Sequence, residues 1–464
     1  ELKKTETIDV MDAVGSNIRV DTYGWEVKRI LPRINEDINE EWISDKTRYA
    51  CDGLKNQRLD TPYLRNGENF NKITWKEANE KIVNKINNTM PEKIAGLTGD
   101  LTNMETLYIA KEFFEKTIKS KFLDSRVDNV YVNNDHRSNY IFNSQLNGIE
   151  DSDLVLLIGV NPRLEATILN TRIRKNYIKN KTDVYSVGVL NDQTYPVIEL
   201  KNNTNTIKEI CDDKHEISKK ISNAKSPLVI IGQSALRLKS GKYIFESLKN
   251  FLINKGKINN EWNALNVLSN HASTVGAYDL NLLSSNDGSN HVLEGINSNK
   301  FDIVFLFGQD NLVFEKKNEF IIYIGSHGDK GAEIADIILP GSAYTEQDGH
   351  YTNLEGKLQK CYKASYPPGS AKEDYEIINN LSELIKRKKL FKNKDELVDS
   401  FMNYLNVHNK TGTNESKENY PFFDENITIN EIDYYYSNLI ARASFTMSEC
   451  RNKKNEQKKT GTEG

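Results

Sequence analysis

Seven short apolar runs, each closing on glycine, limit what this chain can fold into. They are "KIAGLTG" (93–99), "DLVLLIG" (153–159), "DVYSVG" (183–188), "PLVIIG" (227–232), "DIVFLFG" (302–308), "FIIYIG" (320–325) and "DIILPG" (336–341). Runs that are apolar throughout suit strands covered on both faces, the condition of parallel strands packed between helices. Most are separated by stretches long enough for a helix. The first is preceded by "TWKEANEKIVNKINN", with Thr74 as cap, Glu77 three residues on, and Ala78, Ile82, Val83 and Ile86 at helical spacing. Strands alternating with helices predict an α/β fold of doubly wound parallel sheets. "DLVLLIGVN" (153–161) also echoes "DIVFLFGQD" (302–310), which points to two related halves.

The chain's 464 residues exceed one ordinary core. Residues 1–70 read as a small β-rich unit, in which "SNIRVDTYGWEVKRIL" alternates like a hairpin turning near Tyr23-Gly24. We expect one α/β half over 71–225 and a second over 226–406. Residues 407–450 are expected to form a polar linker and an aromatic, helical segment, and 451–464 a disordered tail.

A net charge of −4 carries no basic excess, so no nucleic-acid footprint appears in the totals. The longest apolar runs fall far short of a membrane span. The four cysteines, Cys51, Cys211, Cys361 and Cys450, lie far apart with no C-x-x-C, so the chain offers no local iron–sulfur or zinc motif. Their scatter suits a reducing compartment. The chain opens at Glu1 rather than Met, as a processed protein or a piece of a longer one does.

The fold invites nucleotide motifs, but there is no G-x-G-x-x-G. "GSHGDKG" (325–331) places glycines three apart after a strand, and its N–H groups can either face an anion or form a tight turn. "ALRLKSGKY" (235–243) ends in Gly-Lys but lacks the first glycine of a P-loop and has Tyr243 where Ser or Thr binds magnesium. His327 and His350 follow strands, where ligands bind in such sheets, yet lone loop histidines are commonly surface hydrogen-bonders. "GVNPRLEATILNTRIRK" (159–175) is the better candidate. Its Asn161-Pro162 turn exposes backbone N–H groups, and Arg163, Arg172 and Arg174 either bind phosphates or pair with Glu165 and neighbouring segments.

Several segments together carry a resemblance. "KKTETIDVMDAVGSNIRVDTYGWEVKRILPRINEDINEEWISDKTRYACDGLKNQRL" (3–59) resembles the region after the iron–sulfur domain in the large iron–sulfur subunit of respiratory complex I (NADH:ubiquinone oxidoreductase), the subunit 11 type of mitochondrial genomes. "DHRSNYIFN" (135–143), "IGVNPRLEATILNTRIRK" (158–175), "GSHGDKGAEIADIILPGSAYTEQDGHYTNLEGKLQ" (325–359) and "DYYYSNLIARASFTMSEC" (433–450) are similar to the same family in the same order.

The resemblance implies a molybdopterin-oxidoreductase-like fold, in which relatives such as formate dehydrogenases hold a bis-guanine-dinucleotide pterin at the strand ends. It places Asn161, Pro162, Arg163, Arg172, Glu346 and Asn353 at the vestige of that site. Two departures argue against a working cofactor here. Residues 1–70 resemble the domain that carries a 4Fe–4S cluster in such enzymes but hold only Cys51, and no position matches the ligand to molybdenum. The resemblance therefore implies a structural and assembly subunit with no catalytic, metal or cofactor site of its own, in the matrix arm of complex I. Iron–sulfur clusters are expected in an absent N-terminal part or a cysteine-rich partner polypeptide. Other matrix-arm subunits are the remaining partners, with the chain on the matrix side of the mitochondrial inner membrane and membrane association only through the complex. The terminal aromatic segment must be buried, either against this chain's own α/β body or, the reading preferred here, over a seam with a neighbouring subunit. The alternatives are an active molybdopterin-dependent oxidoreductase, formate-dehydrogenase-like, and an independent nucleotide-binding α/β enzyme.

Overall fold

The apolar runs form two parallel sheets, and the chain builds one inside the other. The structure, a computed structural model, describes residues 1–285, 289–409, 411–430 and 432–460. The N-terminal unit is an antiparallel sheet of β1 (Lys3–Ile8), β2 (Asn17–Tyr23) and β3 (Glu26–Pro32), with Lys3 opposite Thr22 and Ile18 opposite Pro32. Gly24, at φ +60°, supplies the left-handed residue of the expected turn between β2 and β3.

The chain then lays down β4 (Tyr63–Asn66), β5 (Asn69–Lys72), β6 (Ile94–Thr98) and β7 (Leu123–Asp124). It leaves that sheet to make β8 (Leu154–Ile158), β9 (Val184–Val187), β10 (Ile198–Leu200), β11 (Pro227–Ile231) and β12 (Leu265–Val267). It returns with β13 (Ile303–Phe307), β14 (Phe320–Gly325) and β15 (Ile337–Pro340), and closes with the hairpin β16 (Gly349–Thr352) and β17 (Leu358–Cys361). The inner sheet runs β10-β9-β8-β11-β12, all parallel. The outer runs β5-β4-β15-β14-β13-β6-β7, parallel except where β4 pairs antiparallel with both β15 and β5.

This nesting divides the chain differently from the expected halves of 71–225 and 226–406. The 225/226 boundary falls inside the inner sheet, where β8 pairs directly with β11, Leu154 opposite Pro227. Strands from both expected halves share the outer sheet, where Ile94 of β6 lies opposite Ile303 of β13. The β-rich unit of 1–70 likewise gives up β4, which pairs with β15. Periodicity identifies strands but not their partners, so the sequence could not reveal the excursion.

Burial on both faces explains the unbroken apolar runs. In β13, Phe305 and Phe307 pack under the helices Trp75–Asn87, Met104–Glu112, Asp374–Lys386 and Lys394–His408, while Val304 and Leu306 join the core on the other face. In β8, Leu154, Leu156 and Ile158 face one core and Val155 and Leu157 the other. Thr74 and Glu77 form the expected capping box. The sequence echo also holds in backbone geometry, with Gly159 at φ +59° and Gly308 at φ +64° after equivalent strands.

Two expectations for the C-terminus are corrected. The helix Leu439–Arg442 packs on the chain's own N-terminal unit rather than waiting for a neighbour, with Leu439, Ile440 and Met447 joining Ile8, Met11 and Leu54 in one core. Gly53 permits this, because a Cβ there would strike the Ile440 carbonyl. Of the aromatic residues in 433–450, Phe445 alone is mostly exposed, at 72%. The tail expected to be disordered from 451 instead continues the helix Phe445–Thr460. Its Arg, Lys, Glu and Gln residues are strong helix formers, and Arg451 holds Asp433 at 2.6 Å. Residues 461–464 lie outside the described residues.

Candidate functional site

In open parallel sheets, ligands bind beyond the carboxyl ends of the strands, where the strand order reverses. Those points fall between β8 and β11 in the inner sheet and between β6 and β13 in the outer. Glycines bring the loops together at both. A Cβ on Gly99 would collide with the Gly308 carbonyl, and one on Gly232 would lie 2.6 Å from Val160 Cβ. Backbone therefore occupies the narrowest part of each crevice.

Four backbone donors around these crevices are engaged by the chain's own carboxylates. The Asn161 N–H donates to Glu165. The Gly331 N–H donates to Asp310 Oδ1 at 3.0 Å, the Ser342 N–H to Asp374 Oδ1 at 3.1 Å, and the Ala343 N–H to Glu346 Oε2 at 2.9 Å. All four acids are buried. Burial pushes the carboxyl groups of Glu165, Asp310 and Asp374 up to about 7, against the hydrogen bonds that favour their charged forms. Glu346 instead meets Arg58 through two bonds of 2.5 and 2.6 Å. A pyrophosphate would have to displace these carboxylates from the N–H groups it needs, and would meet their negative charge when ionised. The donor set does not fit a pyrophosphate-bearing cofactor.

The six candidate residues do not converge on one pocket. Asn161 caps the turn Pro162–Glu165, accepting from the Leu164 N–H, with Pro162 at its first position. Arg163 leaves the crevice and holds Asp192 at 3.0 Å. Arg172 is fully buried and bonds to the Ile38 carbonyl from Nε and Nη2, to the Glu36 carbonyl at 2.6 Å and to Glu150 at 2.8 Å. Asn353 donates to the Val14 carbonyl at 3.0 Å. Arg172, Glu346 and Asn353 thus tie the N-terminal 58 residues to the α/β body. Arg174 is exposed.

Of the two histidines, neither lies free at the surface. His327 is buried and donates from Nε2 to the Gly53 carbonyl at 2.8 Å, because burial and the Arg58 charge push its pKa down to about 3 and hold it neutral. His350 bonds through Nδ1 to buried Glu105 at 2.6 Å. The "GSHGDKG" loop is accordingly a structural turn, with Asp329 clamped by Arg442 of the helix Leu439–Arg442.

Sequence reasoning missed several members of this set. Gln359 donates to the Gly15 carbonyl and accepts from Asn17, adding to the seam. Asp310 sits two residues after the echoed glycine, which was the one available signal for it; nothing in the sequence marked Glu165 or Asp374 as buried. Among the described residues no three His, Cys, Asp or Glu side chains converge as metal ligands. Cys51 and Cys361 border one core and Cys211 another, and burial pushes the Cys361 thiol up to about 12. They do not fit an iron–sulfur cluster, which takes several thiolates together.

Residues 58–384 match the molybdopterin oxidoreductase family, and residues 2–52 match the NADH-ubiquinone oxidoreductase NDSU1/NuoG-like 4Fe-4S domain. The chain is 41% identical to the NADH-ubiquinone oxidoreductase 75 kDa subunit of Reclinomonas americana, over 97% of this chain and 68% of that protein. It is 40% identical to the mitochondrial 78 kDa subunit of Candida albicans, over 97% and 64%. It is 38% identical to an NADH-quinone oxidoreductase subunit of Rickettsia bellii, over 99% and 67%. The chain thus spans about two thirds of the length of these relatives. Among solved structures, acetylene hydratase from Pelobacter acetylenicus shares the fold, with a TM-score of 0.58 and 12% identity over 89% of this chain and 74% of that one.

Proposed function

Because the chain belongs to the family of the large subunits of NADH-ubiquinone oxidoreductase, respiratory complex I, we propose that its own part in that assembly is mechanical. It holds the cluster-bearing portion and its neighbours in register, and it carries out no chemistry itself. Electrons tunnel only between centres held close together, so a stiff support serves the reaction of the whole assembly. The single observation that carries this reading is the redirected donor set. Strand-end N–H groups engage buried carboxylates, while Arg172, Glu346 and Asn353 fasten the N-terminal unit to the body.

In this reading the chain holds no molybdenum, tungsten or pterin. The iron–sulfur clusters belong to a cysteine-rich segment or partner polypeptide docked against residues 1–60. The assembly sits on the matrix side of the mitochondrial inner membrane, and the chain reaches the membrane only through its partners. Among the described residues no helix is long and apolar enough to cross a membrane. The rival readings, a molybdopterin-dependent oxidoreductase and an independent nucleotide-binding enzyme, both need backbone donors that are already engaged.

Elemental analysis and pterin fluorescence of the purified chain test the proposal, with neither metal nor pterin expected. Stoichiometric molybdenum would overturn it. The partner arm is tested by the composition of the native particle, where a cysteine-rich polypeptide touching residues 1–60 is expected. A particle in which no such polypeptide touches that region would overturn the docking.

A further inference from the structure

A groove of about 660 Å³ lies beside β7, lined by residues that precede that strand and by the loop near Leu283, apart from the strand-end donors. Its lining includes Leu283, which is partly exposed, and Phe114, which is buried beneath it in the core. Four lysines also line the groove, the exposed Lys116, Lys119 and Lys121 and the largely buried Lys111. The helix Met104–Glu112 widens here into a π-helical turn, Phe113–Ile118, a distortion that often marks functional surfaces. Lys119 ends the turn in the left-handed region, at φ +63°, where glycine would fit at least cost.

Charge decides what such a groove can receive. Two of the four lysines are matched within the chain, Lys111 by Glu115 and Lys116 by Glu112. Lys119 and Lys121 are exposed and have no carboxylate partner among the described residues. Two positive charges without a carboxylate therefore stand beside Leu283, with Lys121 also lying over the Phe122 ring. The groove is open to solvent, unlike pockets that enclose most of a small ligand. An open groove that sets charges beside an apolar side chain suits a peptide segment, whose apolar side chains supply affinity and whose charges set register and partner choice.

We propose that this groove receives an acidic segment of a neighbouring subunit, seated by an apolar side chain on Leu283 and by carboxylates at Lys119 and Lys121. The proposal rests on the reading of the chain as a subunit of a larger assembly. It names a second docking surface, separate from the N-terminal unit.

A zero-length carbodiimide cross-link tests it, because that reagent joins an amine only to a carboxylate in contact with it. In the purified assembly, peptide mapping should find Lys119 or Lys121 joined to Asp or Glu of another subunit. The double variant Lys119→Gln, Lys121→Gln should lose those links and keep the internal Lys111–Glu115 link, which reports an intact groove. Both lysines should also resist an amine-acetylating reagent in the assembly and react with it in the isolated chain. Equal acetylation in both states would overturn the proposal. Protection without any cross-link to a carboxylate would also overturn it, pointing to a lipid or another non-acidic occupant. Absence of the chain from the assembly would overturn the subunit reading, and this proposal with it.

Discussion

Arg58 and Glu346 form a two-bond ion pair, at 2.5 and 2.6 Å, between the end of the N-terminal unit and the turn after β15. Both side chains are nearly closed to solvent, at 9% and 3% exposure, and Arg58 also donates to the carbonyls of Leu54 and Ser326. The pair connects segments 288 positions apart.

Removing one partner strands the other charge in the interior. Glu346→Gln should cost about 3–5 kcal/mol of stability. A denaturant melt measures the loss, and limited proteolysis should cut first within residues 1–58. An unchanged melt would show that the pair does not hold the unit in place.

The raised acids set a pH dependence of definite sign. Asp310 holds its proton up to about pH 7 when folded, against an ordinary value of 3.8. The folded state thus binds the proton more tightly. That contribution is fully present below about pH 4 and is lost as pH rises toward 7, at up to about 1.4 kcal/mol per pH unit. Tyr323 Oη donates to Asp310 Oδ2 at 2.6 Å. Asp310→Asn can still accept from the Gly331 N–H and can donate its amide to that hydroxyl instead, so it should be stabilising at about pH 8 and nearly neutral at about pH 4. Thermal melts at the two pH values check this, and an equal effect at both would refute it.

Arg172→Lys keeps the charge but loses the planar fork that reaches the carbonyls of Glu36 and Ile38 together. We expect a loss of about 2–3 kcal/mol. Faster hydrogen exchange over residues 35–40 should accompany it. Wild-type exchange there would mean that other contacts order the segment.

Truncation after Asn419 removes Leu439, Ile440 and Met447 from the core they share with Ile8 and Leu54. Each such side chain contributes about 1.5–3 kcal/mol, so the truncated chain should lose on the order of 5 kcal/mol and melt far earlier or not fold. A cooperative, wild-type melt would return the segment to the role of an interface element.

All seven glycine-ended runs are strands, because burial on both faces leaves a continuous apolar signature. The short strands were not legible. β7 has two residues, and β10 and β12 have three each, too few to show a period. Of the candidate site, sequence located the strand-end loops but not what their N–H groups hold. Arg172 shows the reason. Its helical position, "TRIRK", reads as a basic surface, yet the side chain is buried against carbonyls more than 130 positions away. Glu165 shows the converse, since a carboxylate one turn from Asn161 reads as a solvated partner for arginine and instead turns inward to its own loop.

The nested order of the two sheets also bears on how the protein is made. β6 emerges from the ribosome roughly 200 residues before its neighbour β13, an interval of about 10–40 s at ordinary rates of synthesis. During that time the inner sheet can be completed, while the outer one stands half-built with a naked strand. Pairings so distant along the chain close slowly, so newly made molecules depend on chaperone cover during that wait more than their final stability would suggest.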